Sequence, residues 1–472
     1  MSVRSRSDVP TRLLASALLL LAAVSPASAQ QLTPRERAQI DSAARAVLAA
    51  TGAPSASVAV VRGGEIVLAE AYGNGRVGVP ATPTMRYAIG SVSKQFTATA
   101  VLLLAEEGKL SLDDKVSRWF PKLTRASDIS LRQLLGMISG YQDYWPQDYV
   151  FTAMQSKTTA DAIMQRWAAQ PLDFEPGSAW QYSNTNFVIA GAVVEKVSGM
   201  PFIDFLRQRI FSKLGMASVA DFDAGPLSAG DAGPFLRNGP GPLRDAPKEG
   251  PRWLFAAGQL AMTARDLATW DLSLIKQQVL KPQSYRTLTT TQLLTNGTAT
   301  GYSLGMNVGM AGGRKRLSHG GAVSGYTTTN VVYPDDKAAI VVFTNIYPGG
   351  GGASAQIASR IANVILAPVD TAEPGATALA KRVYQGLTQG TIDTALFTPN
   401  ARDFFTAQVL ADYQAGLGPL GEPSEFSGGG GSLRGGLRIR GYRIRAGSMT
   451  LDLTMMQRPD GRIEQYIIER EN

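Results

Sequence analysis

The sequence predicts an α+β protein in two parts: an antiparallel sheet carrying helices, then a small C-terminal α+β domain. Three observations carry this expectation. A capped helix runs straight into a hairpin near the start of the chain. A second hairpin, "TTTNVVYPDDKAAIVVFTN" (327–345), turns at Asp335-Asp336 and is followed by a closing helical stretch, 353–366. Beyond a proline-containing break, helical stretches precede a glycine-rich segment and several alternating strands. Helices and hairpins in this order pack as helices on an antiparallel sheet.

Residues 1–29 read as a cleaved export signal. Arg4, Arg6 and Arg12 precede the apolar run 13–24, and Ala27 and Ala29 set cleavage after Ala29. That run is too short to span a bilayer, so the expected location is periplasmic or secreted, with no membrane span after signal removal. Thr33 and Glu36 then form a capping box with Pro34 at the first helical position. Ile40, Ala44, Val47 and Leu48 line one face, and Gly52 ends the helix. "SASVAVVRGGEIVLAEAYG" reads as two strands about Gly63-Gly64.

"GNGRVG" (73–78) has the spacing of a dinucleotide fingerprint, but Pro80 and Pro83 follow where a helix is required, so it reads as a loop. Helical stretches follow at 92–107, 159–169, 186–214 and 262–276, with a long Gly/Pro-rich loop at 223–251. Long loops in compact domains often border functional sites. The main domain is expected over 30–366, a linker over 367–375 and the small domain over 376–472. In that domain helical stretches at 376–389 and 402–415 precede a glycine-rich loop and strands. Arg438, Arg440, Arg443 and Arg445 read as one sheet face, with Leu437, Ile439, Tyr442 and Ile444 on the other. Such a face is either simply solvated or a contact for an anionic partner.

Composition narrows the function. A net charge of +8, scattered along 472 residues, does not suggest nucleic-acid binding. Without cysteine, and with His319 as the one histidine, the usual zinc constellations cannot form, and no P-loop or EF-hand pattern occurs. No metal or organic cofactor is expected. The partner is a small-molecule or peptide substrate; oligomeric state is not legible.

Two serines compete as nucleophile. "GYSLG" centres a G-x-S-x-G on Ser303, 16 residues before His319. A nucleophile elbow is followed by a helix and by an acid before the histidine, and "LGMNVGMAGGRKRL" gives two glycine-punctuated strand-like pieces with neither. Ser91 and Lys94, in "SVSK", stand three apart at the start of an apolar helix. Residues i and i+3 share a face, so the amine reaches the hydroxyl. Desolvation can lower a lysine pKa until it accepts the serine proton. The plain alternative is an N-cap serine beside a solvated lysine.

Downstream lie Tyr182-Ser183-Asn184 in "FEPGSAWQYSNTNF" and His319-Gly320-Gly321 in "RLSHGGAVSGY". With these in order after S-x-x-K, the chain resembles the serine β-lactamase and penicillin-binding-protein superfamily. It is most similar to class C β-lactamases, the D,D-peptidases of that branch and their esterase relatives. "LRQLLGMISGY", "VSGMPFIDFLRQRIFSKLGM" and "AAGQLAMTARDLATW" share the likeness, which covers about residues 36–366. It implies a β-lactamase/transpeptidase-like sheet with flanking helices and an all-helical lobe. It further implies that Ser91 is acylated, that Lys94 activates it and that Tyr182 relays protons with a pKa lowered by neighbouring cations. Asn184 would orient Lys94 and the substrate, and the Ser91 and Ala322 N–H groups would form the oxyanion hole. Gly320 and Gly321 would let the strand approach the substrate.

The chain departs from the pattern at two places. His319 replaces the commoner lysine, which weakens carboxylate recognition and hence penicillin as substrate. Met137-Ile138 replaces a frequent His-Thr before Ser139-Gly140. The aromatics of "YQDYWPQDYVF" (141–151) read equally well as cleft wall or core. The resulting expectation is an exported serine hydrolase of esters, amides or peptides, possibly of D-amino acids. The rivals are a β-lactamase on the same site and a catalytically silent penicillin-binding or sensor module.

Overall fold

The computed structural model describes residues 31–147, 149–366 and 373–471. The export signal and residues 367–372 of the linker lie outside them. The Thr33–Glu36 capping box opens α1 (Pro34–Thr51), and Gly52, at φ +66°, stops it. β1 (Ser55–Arg62) and β2 (Glu65–Arg76) form the first hairpin. "GNGRVG" is not a free loop: its first four residues end β2, and Val79–Pro80 returns beside them. No helix follows, as the prolines require.

α2 (Ser93–Glu106) is buried on every side from Ser93 to Leu104, which explains its unbroken apolar run. The expected helix over 186–214 is two helices. α3 (Asn184–Ser198) ends at Gly199, φ +71°, and Phe202–Leu214 leaves at a bend of 75°. Glycine accepts the left-handed cap and Pro201 cannot donate onward, so the chain turns there. α4 (Ala264–Lys276) precedes β3 (Asn307–Ala311), β4 (Arg314–Val323), β5 (Tyr326–Tyr333) and β6 (Ala338–Thr344), and α5 (Ala353–Ile365) follows.

The sheet order is β2-β1-β6-β5-β4-β3, antiparallel throughout, with Val79–Pro80 beyond β2. α1 and α5 cover one face through Ile40, Val47, Ile357 and Ile361. α2, α3, α4 and the helical lobe build the larger core on the other face, around Phe96, Phe187 and Trp270. β1 and β6 are central and therefore apolar in unbroken runs.

A third core draws all its members from beyond residue 375, under α6 (Glu373–Thr388) and α7 (Ala407–Leu417). The last three residues assigned to the linker therefore open α6. Four strands complete this part: β7 (Glu425–Arg434), β8 (Leu437–Ala446), β9 (Met449–Gln457) and β10 (Ile463–Arg470), in that order. Two expectations are corrected here. The glycine run is not a loop but part of β7, paired with β8 across a bulge between Gly428 and Gly431. The four arginines do not share a face. β8 pairs with β9 without a slip, so strict alternation puts Arg440 inward with Tyr442 and Ile444, while Arg443 and Arg445 face out.

Candidate active site

The nucleophile candidate stands on a tight turn. Gly90 has φ +51°, and a single 3-10 turn, Gly90–Val92, carries Ser91 into α2. Two glycines let β4 press against that turn. A Cβ on Gly90 would lie 2.8 Å from the Ala322 nitrogen, and one on Gly321 would lie 1.9 Å from the Ile89 carbonyl oxygen. The Ala322 backbone is thereby set beside Ser91, as a pair of oxyanion donors requires. Gly321 is thus needed against the protein itself rather than for substrate approach. Gly320, by contrast, is exposed on the cleft wall, where an added Cβ would meet only the Thr328 carbonyl within 4 Å, at 3.7 Å.

Lys94 is the second residue of α2 and fully buried. Its Nζ donates to Ser91 Oγ at 2.9 Å, Asn184 Oδ1 at 2.8 Å and the Ala257 carbonyl at 2.8 Å. Burial lowers its pKa from 10.5 to about 7, with the Asp143 charge opposing. Near neutrality a large share of Lys94 is therefore a free amine facing Ser91. The segment leading to Ala257 is pinned by Asp223, which accepts the Arg252, Leu254 and Phe255 N–H groups at 3.0–3.1 Å.

Tyr182 and Asn184 sit at the start of α3. The Lys94 Nζ lies 4.9 Å from the Tyr182 ring centroid. Tyr182 Oη is buried without a hydrogen bond of good geometry, although Ser91 is near enough to pull its pKa down. Burial outweighs that pull, and Asp143 adds to it, so the phenol is pushed up. The expected cation-lowered tyrosine is corrected: Lys94 is itself too dry to remain a full cation. Tyr182 is a neutral phenol at pH 7.

His319 is buried on β4. Its Nδ1 is 2.5 Å from the Gly320 carbonyl and its Nε2 2.9 Å from Tyr302 Oη. A carbonyl only accepts, so Nδ1 carries the proton and Nε2 accepts from the tyrosine hydroxyl. Burial, then the Lys94 charge, lower its pKa to about 4, against the Gly320 hydrogen bond. The imidazole is neutral and aimed at protein groups. Ser303 is buried and donates to the Met306 carbonyl at 3.1 Å, away from the cleft.

Ser91, Tyr182, His319, Gly320, Gly321 and Ala322 line one cleft of about 900 Å³, with Lys94 and Asn184 beneath. The aromatic segment divides: Tyr141 and Tyr144 are core, while Trp145 and Tyr149 form cleft wall. Leu236, Asn238 and Pro247 of the long loop form the opposite wall. No arginine or lysine occurs among the described wall residues. Met137, at the altered motif, supports the Tyr182 turn: its carbonyl accepts Gln181 N–H at 3.0 Å and its sulfur Ser183 N–H at 3.3 Å.

Sequence reasoning passed over Asp143, Tyr302 and Gly90. Tyr302 adjoins Ser303 in the G-x-S-x-G, and the glycine before Ser91 was the signal for the tight turn.

Known proteins resemble this chain in sequence and fold. A D-aminopeptidase of Brucella anthropi is 30% identical over 322 residues, 66% of this chain, and the match spans 59% of that protein's length. A penicillin-binding protein of Bacillus subtilis is 26% identical over 310 residues, 61% of this chain and 67% of that one. The structure of a D-stereospecific amidohydrolase from Streptomyces sp. superposes with TM-score 0.60 at 28% identity, covering 68% of this chain and 96% of its own. An octameric penicillin-binding protein homologue from Pyrococcus abyssi shares the fold at 20% identity, TM-score 0.61, over 92% of this chain and 96% of its own. Residues 40–363 match the family model described as Beta-lactamase, and the chain belongs to that family.

Proposed function

We propose that the protein is a serine hydrolase that forms an acyl-enzyme on Ser91 and cleaves amide, ester or peptide bonds, D-amino-acid amides foremost. The observation that carries this is the Lys94 amine: buried, 2.9 Å from Ser91 Oγ, with its pKa lowered to about 7. In acylation Ser91 Oγ bonds to the substrate carbonyl carbon and its proton passes to Lys94. The Ser91 and Ala322 N–H groups hold the oxyanion. Tyr182, a neutral phenol, gives its proton to the leaving nitrogen or oxygen as Lys94 returns one to it. Water then attacks the ester carbonyl, its proton passing to the same pair, and Ser91 leaves with a proton restored.

The wall favours substrates without a carboxylate at the reacting end. Its one charged side chain among the described residues is Asp143, and His319 is neutral. The names of the D-aminopeptidase and D-stereospecific amidohydrolase relatives support amides of D-amino acids. The arginine-rich start and apolar run of residues 1–29 support export to the periplasm or medium. The domain division at 366–376 is likewise part of this reading.

The test is turnover of D-phenylalanine amide, p-nitrophenyl acetate and a chromogenic cephalosporin, with intact-mass detection of the adduct, beside Ser91→Ala. The amide and ester should turn over, the cephalosporin more slowly, and Ser91→Ala should lose both activity and adduct. A wild type with no turnover and no adduct refutes the proposal.

A further inference from the structure

Asp143 stands where no motif points. In the sequence it falls between the buried Tyr141 and Tyr144, and its carboxylate turns toward the start of α3. Oδ1 accepts the Asn184 backbone N–H at 2.9 Å and the Trp145 N–H at 3.2 Å, and Oδ2 accepts Asn184 Nδ2 at 3.2 Å. Burial raises the pKa of Asp143, while each of these bonds is received and, with the Lys94 charge, draws it back toward the ionised form.

This fixes the Asn184 carboxamide. A carboxylate accepts only and an ammonium donates only. The amide nitrogen must therefore face Asp143 and its oxygen must face Lys94, 2.8 Å away. The reversed amide would set N–H groups on the ammonium and an oxygen on the carboxylate. The acid and the amine thus stand on opposite sides of one planar group, and the carboxylate, with the amine whenever it is protonated, rejects the other orientation.

We propose that Asp143 is a positioning residue for the Ser91–Lys94 pair, aiming the Asn184 oxygen at the Lys94 amine and supplying the charge that balances that amine when protonated. Its catalytic consequence rests on Lys94 being the base, as read above. The groups facing Lys94 are Ser91 on the turn before α2, Tyr182 just before α3, Asn184 and Phe187 from α3, the Ala257 carbonyl, His319 from β4 and Asp143 from the cleft wall. Among these, Asp143 is the charged group that favours the protonated amine; Lys94 in turn disfavours a protonated His319. Asp143 also pushes the Tyr144 and Tyr182 phenols up.

The experiment reads Lys94 directly in the full chain. Protein labelled with [ε-13C]lysine is titrated by NMR, with Lys94→Met to assign the resonance. Wild type should titrate near pH 7. Asp143→Asn keeps the shape and removes the charge, so Lys94 should titrate about one unit lower or more. The acid limb of kcat/KM for p-nitrophenyl acetate should move down with it, and the plateau should fall. An Asp143→Asn protein whose Lys94 titrates as in wild type overturns the proposal. Should that variant not fold, Asp143→Glu serves: the charge stays but the aim is lost. Lys94 should then titrate near wild type while kcat/KM falls several-fold, and a wild-type kcat/KM overturns the positioning role. A wild type that forms no Ser91 adduct would refute the hydrolase reading alone, because the NMR titration still decides the role of Asp143.

Discussion

The cleft and the C-terminal sheet each hold cationic side chains, and they treat them in opposite ways. In the cleft one amine, Lys94, is fully buried and held by three oxygens. On the outer face of β8, Arg443 and Arg445 are exposed and lie beside Glu471 and Glu425. Burying a charge is costly, so a buried charge that persists shifts its proton and acquires chemistry. Charges at the surface keep their protons, are screened by water and contribute little. The two regions should therefore respond to substitution with opposite balances of activity and stability.

Replacing Lys94 tests that contrast most severely. Lys94→Met keeps the length and removes the amine, so turnover should fall about 10³-fold or more, in the range lost with a general base. Stability should hold or rise, because an apolar group replaces a desolvated cation. The pH dependence carries the same signature. The folded-state pKa of Lys94 is about 7 against 10.5 for an ordinary lysine. Between those values the unfolded chain binds a proton that the folded chain does not, so this group makes stability rise with pH across that window. Denaturant unfolding at pH 7 and pH 10 should show a shallower rise in Lys94→Met. A marked loss of stability at pH 7 would mean that the buried amine is a structural asset, and the contrast would fail.

What the sequence made legible follows the same division. Caps, glycine stops and apolar periodicity are local signals, and α1, α2 and the two hairpins lie where those signals put them. Ser91 and Lys94 share one helical turn, so their meeting is local too. Asp143 and Tyr302 were invisible because each acts on a residue at least 17 positions away without a recurring local pattern. The sign of the Tyr182 shift needed the depth of burial, which no spacing encodes. The glycine run misled for the converse reason. Glycine has no strand preference of its own, and pairing with β8 imposed the strand. Arg440 misled because the sequence alternation breaks at Gly441 while the backbone register does not.

His319 should respond on a smaller scale, since it shapes the wall without carrying a proton in the proposed reaction. As the one histidine of the chain, it gives a single imidazole signal. That signal should report a neutral ring protonated on Nδ1 at pH 7, titrating near pH 4. Because the folded-state value lies below the ordinary 6.5, stability should fall as pH drops from about 6.5 toward 4. His319→Ala should lower kcat/KM about tenfold and still form the Ser91 adduct. Tyr302→Phe removes the donor to Nε2 and should raise the share of the other tautomer. A His319 titrating near 6.5 in wild type would place a partly cationic ring on the cleft wall and revive carboxylate-bearing substrates.

The smallest effect belongs to the exposed arginines of β8. Arg443 pairs with Glu471 in the open, and a surface pair of this kind contributes roughly 0–1 kcal/mol. Arg443→Ala should leave turnover unchanged and move the unfolding free energy by about 0.5 kcal/mol or less. High salt should shrink even that difference, since the screening length falls to about 3 Å at 1 M ionic strength. The same substitution separates the two readings of the stripe. If Arg443 and Arg445 are a solvated face, the double alanine variant behaves as wild type toward anionic polymers such as heparin. If they bind an anionic partner, retention on an immobilised polyanion falls with each arginine removed while catalysis does not. Arg440 points the other way, into the third core, so it belongs to neither outcome and its loss should register as lost stability.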